Sequence, residues 1–307
     1  MTTKGKAGIG TKYNAAMAQI SVKNKILDFM NGILATEDNT TVTVSGYSPT
    51  VQFSTPQAST MTFILNKGQS YIIDGLGNDS NNFTGFIGAT IVADKAVSIT
   101  NGNFNGQYDV DYPNSSDILM GQSVPGERVG KEVALVSGFG KIPENCQPGD
   151  NMEGGLVVAT EDNTQIFLNN NPTAVITLNE GGFYQIPEGN YVDQGNGVYN
   201  MYVKATKNVY LYQLLAGADS GSVEATGGFN YIPPLSCYLP KVIDEIGLIN
   251  ENPGYSGNNG GFSPTRTTKL NIITAVGAVV TVNGAPLPAT DGPSPLRGNP
   301  KWSTYSK

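Results

Sequence analysis

The residues of this chain that could do chemistry are almost all carboxylates. Between Gln107 and Asp117, side-chain oxygens recur at Asp109, Asp111, Asn114 and Asp117. Such hard donors on an open loop would select calcium over zinc or copper, with Asp109, Asp111 and Asp117 as the ligands. The run lacks the glycine at the sixth position and the distant bidentate Glu of an EF-hand, so a solvated loop is the plainer reading. Three adjacent pairs, Glu37-Asp38, Glu161-Asp162 and Asp244-Glu245, have the residue types of a glycoside hydrolase. That chemistry needs two carboxyl groups roughly 5 to 9.5 Å apart across a cleft, one of them with a pKa raised by burial. Neighbours in a turn instead send their side chains apart, and Asp244 and Glu245 stand beside Lys241 on a segment they would cap or solvate. The two cysteines, Cys146 and Cys237, are too few and too far apart for a zinc or CxxC site. They are either two buried thiols or one disulfide, which outside a reducing compartment would stabilise the fold by about 2 to 4 kcal/mol.

Composition narrows the chemistry further. The 307 residues include no His, which removes the commonest general base, the commonest metal ligand and the Ser-His and Cys-His nucleophile pairs. Charged residues make up 14% of the chain, against about 25% in an average domain, so Gly, Asn, Ser and Thr must cover the surface. With a net charge of -7 and no basic cluster, a nucleic-acid backbone would be repelled. No stretch approaches the roughly twenty apolar residues of a membrane span, and no apolar export-signal core follows Met1 to Lys6. No cofactor is expected beyond the calcium that the 107–117 loop could hold.

Strands are the elements that the residue pattern predicts around these carboxylates. Thr41 to Ser45, Met61 to Leu65, Ala96 to Thr100 and Asn200 to Lys204 alternate apolar and polar side chains at period two. Asn-Gly, Gly-Asn, Pro-Gly and Asp-Asn pairs punctuate them at the spacing of an antiparallel sandwich or barrel. Helix is scarce, its best candidate being Pro240 to Ile249.

The chain also repeats. Ala35-Thr36-Glu37-Asp38-Asn39-Thr40 recurs identically from Ala159 to Thr164, 124 residues later. Downstream, Leu65 to Ile73 is answered by Leu178 to Ile186, and Ile91 to Ile99 by Tyr202 to Tyr210. Each hexapeptide reads as a hairpin turn, because Asp and Asn accept backbone hydrogen bonds and tolerate left-handed geometry. A third copy opens at Leu270 to Gly284 without its later strands, and an unpartnered edge there points to truncation. The chain therefore divides into a first β repeat at 1–145, a second at 146–265 and a partial third at 266–307. The expected fold is all-β, tandem antiparallel sandwich-like repeats with very little helix; a propeller-like or continuous β array is the alternative. Fifteen tyrosines, many in strands, suit either a binding face or ordinary cross-strand packing.

Taken together, the two Ala-Thr-Glu-Asp-Asn-Thr turns, the Leu-Asn-x-Gly-x-x-Tyr pairs, Asp94 to Val97 and the segment Tyr231 to Gly247 resemble the N-terminal domain of IgGFc-binding proteins. They are most similar to versions in large secreted surface proteins of Bacteroidetes, often beside gliding-motility or secretion-sorting modules. One position departs from that pattern: Gly121 to Pro125 lacks the Asp that usually precedes the middle Val-Pro. The resemblance implies a non-catalytic extracellular binding or structural module of a cell-surface adhesin, part of a larger multidomain chain, with a protein or glycan ligand. A carbohydrate-active enzyme using Asp and Glu is the alternative.

Overall fold

The computed structural model describes residues 4–18, 29–77, 79–106, 117–137, 153–195, 198–215, 227–236, 239–243 and 270–306. The period-two segments are strands. The first sheet holds β1 (Ile9–Asn14), β2 (Phe29–Ala35), β3 (Thr40–Ser45), β4 (Met61–Leu65), β5 (Ser70–Asp74), β6 (Thr90–Gly106) and β7 (Asp117–Gln122). The second holds β8 (Gly130–Val136), β9 (Glu153–Ala159), β10 (Thr164–Leu168), β11 (Ile176–Leu178), β12 (Phe183–Ile186), β13 (Val192–Asp193), β14 (Tyr199–Leu215) and β15 (Gly228–Tyr231). All their pairings are antiparallel, and the helical turns are short 3-10 pieces such as Ser80–Asn82 and Gly126–Arg128. Residues 240–243 carry no helix, and 244–249 lie outside the described residues.

The long strand β6 organises the first sheet. On one side it pairs with β2 from Phe29↔Asn103 to Ala35↔Val97, then with β3 from Val42↔Ala93 to Ser45↔Thr90. Among the described residues β2 and β3 do not pair with each other; they follow one another along β6. Strands β5 and β4 follow one another along the outer side of β2 and β3 in the same way, and β7 and β1 along the far side of β6. The breaks at 36–39 and 66–69 fall beside residues 94–96 of β6, so the sheet bends along one line and its halves close on a common core. Val42, Val44 and Ile91 from one half meet Ile33, Ile73 and Ile99 from the other. This is the sandwich-like unit expected, with one correction: the Glu-Asp-Asn turn is a corner between layers and not a hairpin.

The second sheet repeats this plan strand for strand, β8, β9, β10, β11, β12, β14 and β15 standing for β1 to β7. Its register shifts one sequence match. Val97 lies opposite Ala35 and Val209 opposite Ala159, so Ile91 corresponds to Val203 rather than Tyr202. Strand β8 falls within the 1–145 segment of the sequence division, yet it pairs with β14 of the second sheet.

The chain ends in β16 (Asn271–Ala275), a small hairpin of β17 (Thr281–Val282) and β18 (Ala285–Pro286), β19 (Ser294–Pro295) and β20 (Trp302–Ser306). The edge that the sequence left without a partner is paired: β20 lies along β16 from Asn271↔Ser306 to Ala275↔Trp302. This third sheet rests on the outside of the second, Leu296 packing with Ala134 and Tyr202 and flanked by Ile273 and Trp302.

Candidate functional site

The two Glu-Asp pairs are built into the corners in the same way. Asp38 Oδ1 accepts the Lys67 amide at 3.0 Å, and Asp162 Oδ1 accepts the Glu180 amide at 3.0 Å. The carbonyl of Asp38 accepts Lys95 Nζ, that of Asp162 Lys207 Nζ. Thr40 and Thr164 return their hydroxyls to the carbonyls of Glu37 and Glu161, both at 2.7 Å. Asn39 and Asn163 take the left-handed conformation that lets the chain change layer, with φ of 53° and 56°. All four carboxylates are exposed on the corners; the two Asp hold backbone amides, as the turn reading of the sequence expects, and Glu161 faces Lys207 Nζ at 3.8 Å.

Other expected residues stand elsewhere. Asp109, Asp111, Cys146 and Cys237 lie outside the described residues, as do Asp244 and Glu245; Asp117 enters as the first residue of β7, opposite Gly106. Among the described residues no three of His, Cys, Asp or Glu gather in a way that could hold a metal ion. A buried carboxylate that sequence reasoning did not single out is Glu153, which accepts Ser137 Oγ at 2.9 Å and Gln213 Nε2 at 3.1 Å. Gln213 also donates to the Val136 carbonyl and the Tyr191 hydroxyl, so the group is a structural network inside the second unit.

Two of the tyrosines serve packing between units. Tyr210 and Tyr212 leave the outer face of β14 and enter the first unit's core together with Leu156, Val158 and Phe229. The Tyr210 hydroxyl donates to the Val124 carbonyl at 2.9 Å, and the Tyr212 hydroxyl meets Ser123 Oγ at 3.3 Å. Burial pushes Tyr212 up to about 12, with hydrogen bonding from Ser123 pulling the other way. Tyr202 is likewise raised to about 12 by burial and then by the neighbouring Glu132, beneath the third sheet. The seam is closed by a Lys12–Glu180 ion pair of 2.7 Å and by the contact of Gly88 with Gly181. A Cβ on Gly88 would stand 1.7 Å from the Gly181 carbonyl oxygen, so only glycine fits there.

Along this seam runs an open cleft of about 530 Å³. The first unit lines one wall with Gly46, Ser48, Thr50, Ser80, Asn81 and Thr84; the second lines the other with Leu178, Gly181, Gly182 and Phe183. The 46–60 loop, which builds the first wall together with residues 80–87, is anchored by rings: Phe29 stacks on Phe86 at 4.6 Å, and Phe53 meets both edge-on at 6.1 Å. The signal in the sequence is a length difference. Residues 46–60 join β3 to β4, whereas only 169–175 join β10 to β11.

A family model described as IgGFc binding protein matches residues 1–306. No curated protein matches the chain. Among solved structures, an anti-sigma factor domain-containing protein is similar at 9% identity over 73% of this chain and 96% of its own. Its TM-score of 0.16 is too low to bear on fold or function.

Proposed function

Because this chain belongs to the IgGFc binding protein family, whose model spans residues 1–306, we propose that it is a non-catalytic extracellular binding module. In this reading it forms part of a bacterial cell-surface adhesin and recognises protein or glycan through its β-rich surface. Family membership carries the reading. The corner roles of the Glu-Asp pairs support it, since each Asp spends its carboxylate on a backbone amide. The seam supports it too, because a shared core presents two units as one pre-organised surface, which lowers the ordering cost of binding. Among the described residues no helix is long and apolar enough to cross a membrane.

The test is an array of extracellular proteins, immunoglobulin Fc among them, and of oligosaccharides, probed with the purified chain. Saturable binding to one class without turnover is expected. Release of reducing sugar from any glycan, abolished by replacing a carboxylate with Ala, would make the chain an enzyme and overturn the reading.

A further inference from the structure

We infer that the cleft on the seam binds a neutral saccharide. This rests on the binding-module reading and names a ligand class and its seat. The first support is the loop. The longer connection at 46–60 belongs to the first unit alone, and in repeat proteins an insertion in one unit commonly builds the binding face. It is held in shape: Ser48 N donates to the Gly85 carbonyl at 2.8 Å, Gln52 N to Asn82 Oδ1 at 2.9 Å, and Asn82 Nδ2 back to the Gln52 carbonyl at 2.7 Å. A wall already ordered costs a ligand little.

The second support is the chemistry of the walls. Ser48, Thr50, Ser80 and Thr84 carry hydroxyls, which both donate and accept, as sugar hydroxyls do; those of Ser48 and Thr50 bond to each other at 2.8 Å and keep their remaining lone pairs and proton for a ligand. Asn81 is aimed by its neighbour, its amide N and its Nδ2 both donating to Asp79 Oδ1 at 2.9 Å. That leaves Asn81 Oδ1 and its second N–H directed away from Asp79. Across the cleft Phe183 supplies an aromatic surface for the C–H face of a pyranose. Among the described residues no Asp, Glu, Lys or Arg lines the cleft; of the carboxylates beside it, Asp79 is engaged by Asn81 and Glu180 is paired with Lys12. A volume of 530 Å³ falls within the roughly 300 to 1,000 Å³ of small-ligand sites.

The experiment probes the whole chain against arrayed oligosaccharides with neutral hexose or N-acetylhexosamine ends, alongside sialylated and sulfated ones, then titrates the strongest neutral hit by calorimetry. Neutral ends should be preferred. Asn81→Ala and Phe183→Ala should each weaken the titrated affinity about tenfold, the worth of one well-made contact. Phe183 also packs on the core, so Thr50→Val, an exposed change whose melting can be checked, is a second variant. Binding of a neutral sugar that is unchanged in Asn81→Ala and Thr50→Val overturns the assignment. Binding to a protein with no sugar bound also overturns it while leaving the module reading intact; silence toward every probe overturns both.

Discussion

Tyr212 is 2% exposed, stacked on Phe229 at 4.4 Å, and its environment favours the neutral phenol. Its folded pKa of about 12 stands above the roughly 10 of an unfolded tyrosine. A proton is therefore held more tightly in the folded state, and the sign follows: stability is full below about pH 10 and falls as the pH rises through 12. Tyr202, also raised to about 12, adds to the same loss. Denaturant midpoints measured from pH 8 upward should hold level and then drop, by up to about 1.4 kcal/mol per pH unit for each such tyrosine. Tyr212→Phe should flatten part of that slope, and tyrosinate absorbance should show one fewer late-titrating group. Equal slopes in the two proteins would mean that Tyr212 ionises without resistance.

At the scale of elements, the corner is the recurring device. Its left-handed Asn is followed by a Thr that resumes the strand, while the preceding Asp caps the neighbouring turn. Asn39→Gly should therefore be close to neutral, whereas Asn39→Val, a β-branched residue at φ 53°, should cost about 1 to 2 kcal/mol in chemical denaturation. Asn163 should respond in parallel, because its corner has the same bonds. A hairpin would have given similar residue preferences, which is why the hexapeptide was legible as a turn and not as a corner. The difference lies in the partners: Thr36 bonds to the carbonyl of Ala96, 60 residues away, and not to the strand that follows it.

For the whole molecule, the two units differ where they meet. Leu156, Val158, Tyr210 and Tyr212 are buried in the seam; their register equivalents in the first unit are Gly32, Leu34, Ser98 and Thr100, with Leu34 42% exposed. One face of one fold thus carries two tyrosines where it docks and Ser98 and Thr100 in their place where it does not. The second unit in turn receives the third sheet. Asn200 Nδ2 donates to the Pro295 carbonyl at 3.1 Å and to Thr304 Oγ1 at 3.2 Å, and Asn299 Nδ2 donates to Glu132 at 2.8 Å. Trp302, the only tryptophan, lies in that sheet, so its fluorescence reports docking. Asn200→Ala takes the donor from the Pro295 carbonyl and Thr304 Oγ1 and the acceptor from Gln194 Nε2, and should destabilise by about 1 to 3 kcal/mol. The fluorescence transition should move to lower denaturant at least as far as the circular-dichroism transition; a shift in circular dichroism alone would mean that Asn200 does not hold the third sheet.

Strands, left-handed Asn turns and the duplication were legible in the residues alone, because period-two burial and turn chemistry are local properties of a few adjacent residues. Residue types alone also placed Asp38 and Asp162 in turns. It took the folded chain to show that those turns are corners, that the long strands match one residue further along, that Tyr210 and Tyr212 face a neighbour, and that the 46–60 loop walls a cleft. Each of these depends on which distant strand completes the hydrogen bonds of β6 or β14, and a sheet's pairing is chosen by the summed burial and bonding of the whole molecule rather than by any one segment.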